Sequence, residues 1–203
     1  MRGRDRLALR YLIAVVVLLK ALYVSADECS QPNTDGVSNG DQLNISGIDS
    51  SVITTAIGYW SGGCPGFGTS FPSMTAGGSG GIPVTVIHHS GTSTLGSGSC
   101  GQTTPRMQAP GYSVTSATID LWDRQGNGVD CNLSDTLAHE LGHVLGLADN
   151  STSACIGHIM GGRPSGGTRS VSSADCTVAG QQWLTTNDNQ GGGGTGGAGC
   201  PPA

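Results

Sequence analysis

Two histidines four residues apart, with a glutamate between them, are the side chains of this 203-residue chain best suited to chemistry. They stand in the run His139-Glu140-Leu141-Gly142-His143-Val144-Leu145-Gly146-Leu147-Ala148-Asp149, which reads H-E-x-x-H-x-x-G-x-x-D. On a helix, side chains four apart share a face, at roughly 5–6 Å between Cβ atoms. His139 and His143 can therefore close on one metal ion. Glu140 lies one step round the helix, near the ion but not on it, where it can take a proton from a metal-bound water. Gly146, having no Cβ, can take the left-handed conformation that ends a helix and turns the chain. That turn can return Asp149 to the same ion as a third ligand. Three protein ligands with one open position describe a catalytic zinc ion rather than a structural one. Two rival assignments stay open: Asp149 could instead bind backbone N–H groups of the following loop, and His158 could supply the third ligand.

These groups work only if a helix carries them and a sheet backs that helix. Asn132 or Ser134 can cap a helix that runs to about Leu145 and stops at Gly146. Apolar residues at Ile48, Val52, Ala56, Ile57 and Trp60, with Asp49, Ser50 and Ser51 in front, predict a second, amphipathic helix. Ile82 to His88 alternates as a strand does, with Pro83 confined to its start or to an edge. Val114 to Trp122 reads as another strand. Residues 27–47 are turn-rich with room for one short strand, and residues 61–81 and 90–113 read as loops. Ser172 and Asp175 have capping-box spacing, with Asp in place of Glu, ahead of a helix through Val178, Ala179 and Trp183. The expected class is α+β: a small catalytic domain with a twisted mixed sheet, an active-site helix, a backing helix and a C-terminal helix.

The ends of the chain differ from its middle. Arg2, Arg4, Arg6 and Arg10 precede an apolar run from Tyr11 to Leu19, and small residues lie at Val24 and Ala26. Such a stretch predicts a secretory signal peptide over residues 1–26; the apolar run is too short to span a bilayer. Residues 27–186 are then the domain, and 187–203 a Gly-rich flexible tail. Without the signal the chain keeps four arginines, no lysine and thirteen acids, a net charge of −9. That balance disfavours nucleic acid and anionic membranes as partners. Seven cysteines in an exported chain predict a disulfide framework; Cys200, beyond the tail, is the candidate left over. Cys100 with Cys131 and Cys29 with Cys64 are the pairings expected.

The chain resembles the metzincin clan of zinc peptidases. The likeness is carried by the motif from His139 to Asp149, by Gly146 within it, and by Met160 in the turn Ile159-Met160-Gly161-Gly162. Aspartate as third ligand is similar to the snapalysin group, as are Ala117-Thr118-Ile119-Asp120-Leu121 and Leu147-Ala148-Asp149-Asn150. Ser172-Ser173-Ala174-Asp175 with its helix resembles the closing helix of matrixins. The resemblance implies a secreted zinc endopeptidase. In it His139, His143 and Asp149 hold one Zn2+ ion, Glu140 is the general base and Met160 packs beneath the ion. It also implies a Cys155–Cys176 disulfide and, more loosely, the strand Ile82–His88 as a sheet edge that pairs with extended substrate. Two departures stand out: there is no Pro-Arg-Cys-Gly latency motif, and Gly162 occupies the place of a switch tyrosine.

The expected partner is a protein or peptide substrate, with no nucleic acid, no membrane after signal cleavage, and a monomeric chain. Calcium is a further cofactor for which Asp120, Asp123, Asp130 and Asn127 would be the ligands, though EF-hand spacing is missing and solvated turn acids fit them better. His88 and His89 point to opposite faces of a strand and read as ordinary edge residues. A second function class is a secreted binding or adhesion module that keeps its metal for structure.

Overall fold

The computed structural model describes residues 29–32, 36–37, 41–64, 67–68, 71–96, 98–108, 113–162 and 167–179. The expected signal peptide over 1–26, the expected tail over 187–203, Trp183 and Cys200 lie outside the described residues. The described part is an α+β domain. In chain order it runs β1 (Gln31–Pro32), β2 (Gln42–Ser46), α1 (Ser50–Gly63), β3 (Ser73–Ala76), β4 (Ile82–Thr92), β5 (Gly101–Gln108) and β6 (Ser113–Arg124). Then come α2 (Leu133–Val144), β7 (Leu147–Ala148) and a 3-10 turn at Ser153–Cys155. A last helix covers residues 173–179.

Five strands form one mixed sheet in the order β3-β2-β4-β6-β5. The pairs β2–β3, β2–β4 and β4–β6 are parallel. Only β5 runs antiparallel, along β6 at the sheet edge. Parallel neighbours need a crossover, and α1 supplies the one that follows β2. The sheet buries one face. Ile82, Val84 and Val86 of β4 are buried while Pro83, Thr85 and Ile87 between them are exposed, the period-two pattern of a half-covered strand. Leu43 and Ile45 of β2 and Ile119 and Leu121 of β6 join them, fully buried. Ile53, Ala56 and Trp60 of α1 and Leu137, Ala138, Leu141 and Val144 of α2 complete the same core. Trp60, fully buried, donates its indole N–H to the Ala138 carbonyl at 2.9 Å and so fixes α1 against α2.

The local signals read from the chain recur in the fold. The Asp49 carboxylate accepts the Ser51 N–H at 2.7 Å and starts α1. The Asn132 side chain, rather than Ser134, caps α2 by accepting the Asp135 N–H at 3.1 Å. Ser172 and Asp175 close a reciprocal box: Asp175 accepts the Ser172 N–H at 2.7 Å, and Ser172 Oγ accepts the Asp175 N–H at 3.2 Å.

Other expectations give way. Ile82–His88 is no edge. It lies inside β4, an interior strand paired with β2 over Ile82–Thr85 and with β6 from Val84 onward, and β3 and β5 hold the edges instead. Residues 90–113 contain β5, and residues 61–81 contain β3. Thr, Gln and Pro in β5 and a four-residue β3 carry little apolar alternation, so only pairing with a neighbour defines them. Residues 27–47 hold two strands, not one, and β1 pairs antiparallel with β7.

The disulfides are Cys29–Cys155, Cys64–Cys176 and Cys100–Cys131. The Cys100–Cys131 expectation holds; Cys29–Cys64 and Cys155–Cys176 do not. Cys176, midway along the last helix, faces the C-terminal end of α1 and takes Cys64. Cys155, at the end of the 3-10 turn, faces the N-terminal segment and takes Cys29. These two bridges span 126 and 112 residues of sequence. In the chain-entropy account, loops of that length are worth about 4–5 kcal/mol each.

Candidate metal centre

His139 and His143 lie half-buried on the cleft side of α2, one turn apart, with ring centroids 5.0 Å apart and planes at 81°. The helix ends at Leu145, whose N–H reaches the Leu141 carbonyl at 3.0 Å. Gly146 follows with φ +92°, the left-handed conformation expected of it. β7 then runs back under the helix end and delivers Asp149. β7 is braced by β1 through Gln31↔Ala148 and Pro32↔Leu147, so the N-terminal segment helps aim Asp149.

The three side chains converge. His139 Nε2 stands 3.1 Å from Asp149 Oδ1, and His143 Nε2 stands 3.4 Å from the same oxygen. All three candidate ligand atoms lie within 4.8 Å of one another. A tetrahedral zinc ion with bonds of about 2.0–2.1 Å separates its ligand atoms by about 3.3 Å, close to both separations from Asp149 Oδ1. His158 is not part of the cluster, and among the described residues no other group of three or more His, Cys, Asp or Glu converges in this way. The acids weighed for calcium are engaged elsewhere. Asp120 meets His89 at 2.7 Å, Asp123 meets His88 at 2.8 Å, and Asp130 meets Arg124 at 3.0 Å.

The far side of each imidazole is anchored. His139 Nδ1 lies 2.6 Å from the Ile159 carbonyl and His143 Nδ1 lies 2.9 Å from the Leu147 carbonyl. A carbonyl oxygen only accepts, so each Nδ1 carries a proton and donates it. In the neutral ring, Nε2 then presents a lone pair, aimed at a carboxylate oxygen that also has only lone pairs. Two acceptors at 3.1 Å and 3.4 Å repel unless a cation, a proton or a metal ion, lies between them. Backbone carbonyls that fix the tautomer in this way are the usual outer shell of metal-bound histidine.

The same geometry shifts the titration of the metal-free protein. Burial alone would lower the His143 pKa. The Asp149 carboxylate, the charge of Glu140 and the Leu147 carbonyl outweigh burial and leave it above the ordinary histidine value of 6.5. Asp149 is held well below the carboxylate range, by its hydrogen bond with His139 and then that with His143, against a smaller opposing effect of burial. The raised histidine contributes stability below about pH 6.5 that is lost as pH rises through its folded value. The depressed acid contributes stability above about pH 4 that is lost only on strong acidification. Metal-free protein therefore gains most from this cluster between those limits. Its melting temperature should fall between pH 6 and pH 8.5, and Asp149→Ala should flatten that difference in thermal scans. A pH dependence identical in the variant would assign it elsewhere.

Beneath the histidines, Met160 is 1 % exposed. A Cβ built on Gly142, which lies between the two histidines in sequence, would overlap Met160 Sδ and come within 3.3 Å of the Trp60 ring. Gly142 thus lets the methionine turn press directly on the helix that carries the cluster. Asn150 and Met160 hold the two loops together, the Asn150 N–H donating to the Met160 carbonyl at 2.8 Å.

Glu140 is 4 % exposed and lines the same cleft of about 520 Å³ as His139, His143 and Asp149. That volume is ordinary for a ligand site. β5 forms one wall. Two groups there had no signal in the sequence. Thr103 donates its hydroxyl to Glu140, and Arg169 lines the cleft from a distant part of the chain. Arg169 is 8 % exposed and forms a buried pair with Asp135 in the first turn of α2, Nη2 to Oδ2 at 3.0 Å. The Arg169 backbone N–H also donates to Asp135 Oδ1 at 2.7 Å. No protein-family model matches the chain, and no curated protein matches it.

Proposed function

We propose that this chain is a secreted zinc-dependent endopeptidase of metzincin type, with His139, His143 and Asp149 as ligands and Glu140 as general base. One observation carries the reading. Two imidazole nitrogens, their tautomers set by backbone carbonyls, converge with a carboxylate oxygen, all within 4.8 Å of one another, on an open cleft, beside a glutamate that is not one of the three.

A zinc ion bound there would supply Lewis acidity toward a scissile carbonyl and lower the pKa of a water molecule. Glu140 takes a proton from the attacking water and passes it to the departing amine. β5, paired on one side only, offers its other edge to an extended peptide by strand addition. Pro105 has no N–H, so pairing along β5 is limited at that residue. His139 and His143 hold Nε2 toward the cleft through the two carbonyl anchors. Export fits three disulfides, which belong to oxidising compartments. No described helix is long and apolar enough to cross a membrane.

The purified chain should carry one zinc ion and digest casein; a chelator should stop digestion and added zinc restore it. One tightly held zinc ion with no cleavage of any protein or peptide would instead describe a binding module with a structural ion.

The ligand set has its own test. Asp149→Ala should weaken zinc binding by more than the roughly 10–100-fold typical of losing an outer-shell partner. His158→Ala should leave zinc content unchanged by metal analysis. The reverse pattern would replace Asp149 by His158.

A further inference from the structure

We infer that Thr103 on edge strand β5 is a positioning residue for Glu140, an assignment that rests on the peptidase reading above. Thr103 lies opposite Ile119 in the β5–β6 register, with its side chain toward α2. Its hydroxyl is 2.8 Å from Glu140 Oε2 and 3.0 Å from the Glu140 carbonyl. One O–H has one proton to give, and the carboxylate is the stronger acceptor because the bond is charge-assisted.

Gly101 makes room for the same carboxylate. A Cβ at Gly101 would lie 2.7 Å from Glu140 Oε1 and 2.9 Å from both Glu140 Cγ and Thr136 Cγ2. Two residues of one strand, on one face, therefore seat one side chain: Gly101 by lacking substance, Thr103 by holding an oxygen. A glutamate has three rotatable bonds, and burial by itself does not choose among its carboxylate orientations. The Thr103 hydroxyl does. With Oε2 held, Oε1 is the oxygen left to accept and return a proton. The strand proposed to receive the peptide thus also aims the base, so the reacting bond and the proton acceptor share one frame.

Thr103→Val keeps size, β-branching and strand preference while removing the hydroxyl. Hydrogen bonds to charged groups are worth enough that kcat should fall roughly 10–100-fold. KM and zinc content should not change. Thr103→Ser should recover most of kcat, which a merely structural role would not predict. Crystal structures give a readout independent of turnover: the Glu140 carboxylate should occupy one position in the wild type and the Ser variant, and a shifted or divided position in the Val variant. Gly101→Ala should displace the same carboxylate and also lower thermal stability, because Glu140 Cγ and the buried Thr136 Cγ2 lie within 3.0 Å of the added methyl as well. Full kcat in Thr103→Val, equal losses in Val and Ser, or an unmoved Glu140 would each overturn the assignment. A zinc-loaded wild type that cleaves nothing would overturn the peptidase reading instead.

Discussion

Glu140→Gln should leave the zinc ion in place and lower kcat by about 10²–10⁴-fold, the range for loss of a general base. Glutamine has the same shape and can still accept from the Thr103 hydroxyl, so the site should keep its geometry. It cannot take a proton from water. Glu140 is not among the three converging ligand atoms, so zinc content measured by metal analysis should match the wild type. The contrast matters more than the loss: an ion held for structure alone gains nothing from a carboxylate beside it. Activity unchanged in Glu140→Gln would remove the general base from the mechanism and leave the peptidase reading without a proton acceptor.

Stripping the ion should have the second large effect, on both activity and stability. An ion that binds only the folded state stabilises it by about 4 kcal/mol when its concentration is a thousand times its dissociation constant. Chelation should therefore lower the melting temperature by several degrees and abolish cleavage, with both restored by added zinc. His143→Ala should reproduce the chelated state and resist rescue by zinc. The disulfides limit the damage. Cys29–Cys155 ties the loop after Asp149 to the N-terminal segment, and Cys100–Cys131 ties the start of β5 to the residue before the α2 cap. The metal-free chain should keep its far-ultraviolet circular dichroism at 25 °C. Complete unfolding on chelation would show that the ion, rather than the sheet and its bridges, holds the domain together.

The centre of the site was legible because its relations are local. His139 and His143 share a face through the helical period. Gly146 stops the helix where a residue without Cβ is needed, and Asp149 follows by a short turn. Asp49, Asn132 and the pair Ser172 and Asp175 signal helix starts for the same reason, since a cap joins residues two or three apart. The core strands β4 and β6 showed their alternating apolar residues, and the α+β class follows from those strands and helices together.

What stayed hidden depends on residues far apart in sequence. β5 has Gly101, Thr103 and Pro105 where a strand usually shows apolar alternation, and it is a strand because β6 pairs with it. Neither Gly101 nor Thr103 could be assigned to Glu140, which lies 37 residues beyond Thr103 in the chain. Asp135 and Arg169 meet across 34 residues. Cys29 and Cys155 meet across 126, and the cysteine pattern is compatible with many pairings until the chain is folded. Near-neighbour geometry sets a helix, its caps and the pitch between two histidines. The sheet edge that walls the cleft, the strand that steers Asp149 and the hydroxyl beside the base arise only when distant segments pack, because backbone pairing and side-chain contact are relations in space that no short window of residues contains.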